Sequence, residues 1–195
     1  MAATVPQAGH PVPHSRAELR QQLLSRRKEW LATPAAHAAA LALSRSLHEV
    51  LVQLEPTCLG LYWPLDGEFN AADALLPHTE ALACPLALPF AYKNPRRMEF
   101  RLWDGQPPEV QDECGIGSSN GAVVQPDVLL VPCVGFTEEG YRLGYGGGYY
   151  DRYLAAHPGL TTIGLAWDLG RCHFPAEPHD QALTLVLTET EVVSP

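Results

Sequence analysis

Residues 142–152 read Arg142-Leu143-Gly144-Tyr145-Gly146-Gly147-Gly148-Tyr149-Tyr150-Asp151-Arg152, with glycine at four of five successive positions. Glycine tolerates positive φ, so consecutive backbone N–H groups can converge on an anion, and a helix that follows adds its dipole. Arg142 could add a bidentate charge to the same anion. The chemistry suggested is the holding of a nucleotide phosphate; a tight turn that serves packing alone is the other reading, and the residues leave both open. No Gly-Lys-Ser/Thr follows, as a Walker A loop requires, and Tyr149 stands where a dinucleotide fingerprint needs its third glycine.

The neighbours divide in the same way between function and plain structure. Tyr149 and Tyr150 can begin a helix with their rings in the core, or one ring can stack on a planar ligand. Asp151 is favoured in a first helical turn by about 0.3–1 kcal/mol, yet a carboxylate directly after an anion loop is also how Mg²⁺ is placed beside phosphate oxygens. Arg16 and Arg20 share a helical face, either solvated or directed at a nucleotide's tail. Glu68 follows the first expected strand, at the ligand-facing edge of an α/β sheet. Pro175-Ala176-Glu177-Pro178-His179-Asp180 is a stiff loop ending in a His-Asp pair. The spacing of Cys172, His173, His179 and Asp180 matches no closed zinc set. No Gly-x-Ser-x-Gly elbow occurs. Cys133, at the end of an apolar run, is either a small buried hydrophobe or a nucleophile with nothing adjacent in sequence to activate it.

Positioning these groups falls to alternating helices and strands. Residues 1–14 carry prolines and no apolar period, which suits a disordered leader or a loosely draped arm ahead of one α/β domain over 15–195. Ser15-Arg16-Ala17-Glu18 is a capping box, and Leu19, Leu23 and Leu24 continue at helical spacing. A second, Ala-rich helix spans 35–54 and stops at Pro56. Short apolar runs at 57–63 and 82–88 predict buried strands, with a helix from Ala71 to Leu76 capped by Asn70 between them. The run at 98–103 alternates as an antiparallel or edge strand, and 104–125 is a long polar loop of the kind that often carries function. Residues 127–134 form the clearest buried strand, a helix follows the glycines over 149–156, and strands close the chain at 161–167 and 183–187. The result is a single-domain α/β fold with a Rossmann-like, mostly parallel sheet.

At 195 residues the chain fits one domain. The net charge of −9 disfavours nucleic acid as a partner. Apolar stretches fall short of the ~20 residues that span a bilayer, and no signal pattern opens the chain. Five cysteines without a C-x-x-C pair suit reduced thiols in a cytosol, so the expected location is cytoplasmic.

Taken together, the segment Arg142 to Asp151 after Asp127-Val128-Leu129-Leu130-Val131-Pro132 resembles the R-L-G-x-G-x-G-Y-Y-D signature of the 5-formyltetrahydrofolate cyclo-ligase family. Arg16-x-x-Leu19-Arg20, Asp66-Gly67-Glu68, Gly164-Leu165-Ala166 and Pro-x-x-Pro-His179-Asp180 support the likeness. The resemblance implies a three-layer α/β/α sandwich and the ATP-dependent closure of 5-formyltetrahydrofolate to 5,10-methenyltetrahydrofolate, with release of ADP and phosphate. It implies ATP contacts from Arg16, Arg20, Arg142, Gly144, Tyr145, Gly146, Gly147, Gly148, Tyr149 and Tyr150. By the same likeness Trp63 and Glu68 hold the folate, with Tyr145 and Tyr149 between the two ligands. Arg142 and Tyr149 become the catalytic groups, and Asp151 and Asp180 bind Mg²⁺. The protein would be a monomer or a small homo-oligomer. Several family members carry a basic residue where this chain has Tyr145 or Gly147, which shifts phosphate charge onto Arg142, Mg²⁺ and the N-terminal arginines. A non-catalytic folate- or nucleotide-binding relative of the same fold is the alternative, and a sugar-phosphate isomerase or CoA-transferase-like enzyme on a similar sheet is a third possibility.

Overall fold

The computed structural model describes residues 15–76 and 83–195. The leader expected at 1–14 and the first residue of the strand expected at 82–88 lie outside the described residues. Helix α1 (Arg16–Leu31) starts at Ser15, whose extended backbone and side chain, accepting from Glu18 N at 3.2 Å, complete half of the capping box. Helix α2 (Ala35–Leu54) buries Leu43, Leu47 and Leu51, one per turn, and ends at Glu55 in the left-handed conformation just before Pro56. Asn70 caps α3 (Ala71–Leu75) through Asp73 N.

The main sheet has the order β12-β11-β10-β7-β1-β2-β3-β6. Its centre is parallel: β2 (Leu86–Lys93), β1 (Leu59–Gly60), β7 (Val128–Pro132), β10 (Thr161–Leu165) and β11 (Leu185–Leu187) run in one direction. The flanks are antiparallel, formed by β12 (Val192–Val193) on one side and by β3 (Arg96–Trp103) and β6 (Val123–Val124) on the other. Side chains alternate across it with the strand period of two. Val128 and Leu130 pack with α2 and α3, whereas Leu129 and Val131 pack with Tyr153 and Leu154 of α4 (Tyr149–Ala156). Helices therefore cover both faces, giving the three layers, and each fully buried Leu contributes roughly 1.5–3 kcal/mol.

Every expected strand shifts at one end or both, and two differ most. The ladder of β1 covers only Leu59–Gly60; Leu61 N still donates to Ala87 O at 2.8 Å, after which the chain leaves the sheet toward Pro64. Strand β2 runs on to Lys93 through Pro89, a residue that argues against a strand when read in sequence. Pro89 has the same parity as Ala87, so its nitrogen faces the β1 side at a point where β1 has already ended, and no ladder bond is lost. Ser118 Oγ donates to the free Pro89 carbonyl at 2.7 Å.

The polar stretch at 104–125 is more ordered than its composition suggests. It contains β4 (Val110–Gln111) paired with β5 (Gly117–Ser118), and then β6. Asp112, buried, fastens it: Oδ1 accepts from Cys114 N (2.8 Å) and Ile116 N (2.9 Å), and Oδ2 from Ala91 N of β2 (3.3 Å). Beyond β7, the hairpin of β8 (Gly135–Phe136) and β9 (Arg142–Leu143) delivers the glycine turn to the carboxyl edge of the sheet, the edge where ligands gather in this architecture.

Candidate active site

A cavity of about 380 Å³ opens at that edge. The first turns of α1 bring Arg16 and Arg20 to it, the segment after β1 brings Trp63 and Glu68, and the glycine turn with the start of α4 brings Arg142, Gly144, Tyr145, Gly146, Gly147, Gly148, Tyr149, Tyr150 and Asp151. Asp180 reaches it from the proline-bounded loop. Every residue that the family resemblance assigns to ATP, folate or Mg²⁺ thus borders one space, although partners such as Arg20 and Gly144 stand 124 positions apart; Cys133, Cys172 and His173 do not border it.

The turn itself is held by its carbonyls. Arg20 Nε donates to Gly144 O at 2.5 Å, and Arg152 Nη1 donates to Gly147 O and Gly148 O at 2.9 and 2.8 Å. Gly146 (φ +89°) and Gly148 (φ +64°) occupy the left-handed region, which only glycine enters without strain. Among the described residues, none of the backbone N–H groups at 144–148 has a hydrogen-bond acceptor. Gly148 also leaves the N-terminus of α4 without a side-chain cap. Unpaired donors at an uncapped helix start, beside Arg20, form an anion cradle. Gly144 separates the two readings of the turn, because a Cβ there meets no protein atom within 4 Å. Gly144→Ala should therefore leave the melting temperature within about a degree while weakening ATP at least tenfold, since the methyl projects where a phosphate must approach the backbone. Unchanged ATP affinity by titration calorimetry would return the turn to a structural role.

Both candidate metal carboxylates are paired with arginine. Arg142, buried, donates to Asp151 Oδ1 at 3.0 Å and to Gln181 O at 3.4 Å, with its guanidinium 5.7 Å from the Tyr150 ring centroid. Arg16 donates through Nη1 to Asp180 Oδ1 at 3.1 Å and through Nη2 to Oδ2, and Glu177 N donates to that same Oδ2. The hydrogen bonds from Arg16 hold the Asp180 carboxyl below the usual carboxylate range. No group of three or more His, Cys, Asp or Glu side chains arranged for a metal occurs among the described residues. Mg²⁺ retains several waters and takes one or two carboxylates together with substrate phosphates. The donors present fit that mode in part: Asp151 Oδ2 has no partner among the described residues, whereas both oxygens of Asp180 accept from Arg16.

Another part of the lining carries buried polar atoms. Glu68 Oε2 accepts from Leu65 N at 2.8 Å, while its buried Oε1 makes no hydrogen bond. Burial raises the Glu68 pKa above the ordinary carboxyl value. Burial, with Glu68 close by, also pushes the Tyr145 hydroxyl up to about 12. The Tyr150 hydroxyl is buried with no partner. Trp63 lies edge-on to Trp103, with ring centroids 6.1 Å apart, and close against β5: a Cβ on Gly117 would come within 2.7 Å of its ring. A planar ligand carrying N–H donors would find here an aromatic wall and a carboxylate oxygen whose nearby protein donor is the Tyr145 hydroxyl.

Several residues of this site have no signal in the sequence. Arg27, 2% exposed, donates to Cys133 O at 2.7 Å and lies 3.5 Å from the Tyr145 hydroxyl; between Arg26 and Lys28 it reads as one more solvated helix charge. Cys114 Sγ sits 3.2 Å from the Tyr149 hydroxyl, fixed there by Asp112. Cys133 is buried and its thiol is pushed up to about 12 by burial, which suits a small hydrophobe and not a nucleophile.

The model of the 5-formyltetrahydrofolate cyclo-ligase family matches residues 12–189. The 5-formyltetrahydrofolate cyclo-ligase of Mycolicibacterium smegmatis is 30% identical over 194 residues, covering 90% of this chain and 94% of that protein. A shorter match to the Mycoplasma pneumoniae protein of the same name is 44% identical over 69 residues, 33% of this chain and 40% of that one. Among solved structures, the Aquifex aeolicus 5,10-methenyltetrahydrofolate synthetase superposes with a TM-score of 0.71 at 26% identity, covering 92% of each chain. The Mycoplasma pneumoniae synthetase shares the fold with a TM-score of 0.72 at 23% identity, covering 89% of this chain and 98% of that one.

Proposed function

The chain belongs to the 5-formyltetrahydrofolate cyclo-ligase family, and we propose from that premise that it closes 5-formyltetrahydrofolate to 5,10-methenyltetrahydrofolate with consumption of ATP. The observation that carries the nucleotide half of this reading is the run of unpaired backbone donors at 144–148 beside Arg20. The folate half rests on Glu68 Oε1, a buried acceptor awaiting an N–H, next to the Trp63 wall.

In the proposed reaction the formyl oxygen attacks the γ-phosphorus and ADP leaves. N10 then adds to the activated carbon, the C–O bond to phosphate breaks, and the N10 proton is lost. Alignment and charge do the catalytic work, with the reacting atoms held roughly 3–3.5 Å apart. The glycine turn and Arg20 hold the phosphates, Arg142 fixes Asp151 and the loop at Gln181, and Tyr149 stands between the ligands with its hydroxyl oriented by Cys114. Arg16 releases Asp180 as it takes up phosphate charge. Asp151 and Asp180 would hold Mg²⁺, which would supply charge neutralisation beside the nucleotide phosphates. Free cysteines throughout support a reducing, cytoplasmic setting. No helix among the described residues is long and apolar enough to cross a membrane, and the acidic charge disfavours nucleic acid. The assembly that goes with this reading is a monomer or small homo-oligomer.

Purified protein given MgATP and 5-formyltetrahydrofolate should produce the near-ultraviolet absorbance of the methenyl product and one ADP per product. Tight binding of both ligands without product would instead support a non-catalytic relative. Binding of neither would remove the reading.

A further inference from the structure

Arg27 does not border the cavity beside the glycine turn, whereas Glu68 and Tyr145, the two side chains it faces, both do. It is almost fully buried. Nη2 donates to Cys133 O at 2.7 Å, and Nη1 donates to the Tyr145 hydroxyl at 3.5 Å. That hydroxyl is in turn the side-chain donor beside the Glu68 carboxylate. Arg27 Nε and Glu68 Oε1 are both buried without a hydrogen-bond partner. The two residues line one narrow void, walled by Phe69, Leu165 and Trp167. A cation buried short of partners is costly unless an anion answers it, and Arg26 and Lys28 on either side keep their charges in water.

Glu68 is enclosed from five sides. Arg27 faces it from α1, Tyr62 from the segment after β1, Cys133 from the end of β7, Tyr145 from the glycine turn and Tyr150 from α4. Arg27 is the one cation in that set. Burial resists the charge of the carboxylate, and the Leu65 N–H, the Arg27 charge and the Tyr145 hydroxyl oppose that resistance. We propose that Arg27 is a positioning residue for the folate: it serves as counter-ion to Glu68 and, through the Tyr145 hydroxyl, fixes that carboxylate as the acceptor for the pterin N–H groups. The assignment rests on the cyclo-ligase reading and adds a residue that acts on the ligand without touching it.

Arg27→Met keeps the length of the side chain and removes its charge. Without the cation Glu68 takes up its proton at higher pH. Affinity for 5-formyltetrahydrofolate, read by tryptophan fluorescence, should therefore fall about tenfold at about pH 6, the loss of a hydrogen bond to a charged acceptor, and return to within about twofold of wild type at about pH 9. ATP affinity should not change. Arg27→Lys, which retains the charge, should keep the wild-type pH profile. In the Glu68→Gln background, Arg27→Met should weaken the folate no further. A loss of equal size at every pH, or one that persists in the Glu68→Gln background, would overturn the proposal. If Arg27→Met is too unstable to titrate, chemical denaturation reads the same coupling: adding Glu68→Gln removes the stranded carboxylate and should recover part of the lost stability, and no recovery would overturn the proposal. Coupling in a protein that binds no folate would uphold the pairing of Arg27 with Glu68 and sink the cyclo-ligase reading; product formation without coupling would do the reverse.

Discussion

Arg142→Ala should lower turnover by about 10²–10³-fold, the scale of losing one preorganised charge-stabilising donor, and should destabilise the fold as well. The side chains of Arg142 and Asp151 are 5% and 20% exposed, so removing the cation strands a largely buried carboxylate, at a cost of roughly 3 kcal/mol. The bond to Gln181 O disappears too, loosening the loop that carries Asp180. Lysine cannot replace the fork, because one ammonium cannot span both acceptors. Combining Arg142→Ala with Asp151→Asn separates the two losses: most of the stability should return, and none of the activity. Chemical denaturation and the absorbance assay read them independently. A single Arg142→Ala variant of wild-type stability would mean that the pair does not organise the site.

Glu68→Gln should move stability and function in opposite directions. The raised pKa means that the native carboxyl is held in surroundings that resist its charge. Below the ordinary carboxyl range it is neutral both folded and unfolded, and burial carries no electrostatic penalty. As pH rises through the folded value, the native state must ionise a buried group that the unfolded chain ionises freely, so this residue's share of stability is lost. The amide that replaces the carboxyl never ionises, and the variant's advantage in melting temperature should grow from nil at about pH 4, near the unperturbed carboxyl value, to a plateau above neutrality. Folate affinity should fall about tenfold to a hundredfold at neutral pH, since a hydrogen bond to a charged acceptor contributes roughly 1.5–3 kcal/mol, while ATP affinity stays the same. A variant less stable than wild type under mildly alkaline conditions would show that Glu68 is a structural support.

What the chain declares in its sequence is what is settled locally. Ser15 caps its helix through a residue three positions away, and the glycine turn is conspicuous because Gly146 and Gly148 take positive φ, which glycine adopts without strain. The parallel centre of the sheet is likewise legible from short apolar runs alternating with helices. Arg27 is not, because burial is decided by what α1 packs against, and nothing near it in sequence distinguishes it from Arg26. Nor is the order in 104–125: a polar, glycine-rich stretch stays a loop unless one carboxylate, Asp112, finds three backbone N–H groups to tie together. Strand β2 escapes sequence reading at Pro89 because the cost of proline depends on where the neighbouring strand stops.

The pairing of Arg16 with Asp180 spans 164 positions, and it bears on how the protein is made. A ribosome must add 164 positions beyond Arg16 before the loop that carries Asp180 exists at all. Helix α1 waits through that interval with Arg16 unmatched, while Arg20 and the apolar stripe of Leu19 and Leu23 meet their partners earlier, at Gly144, Val134 and Leu143. A chain cut before Asp180 lacks the partner of Arg16 and one side of the cavity.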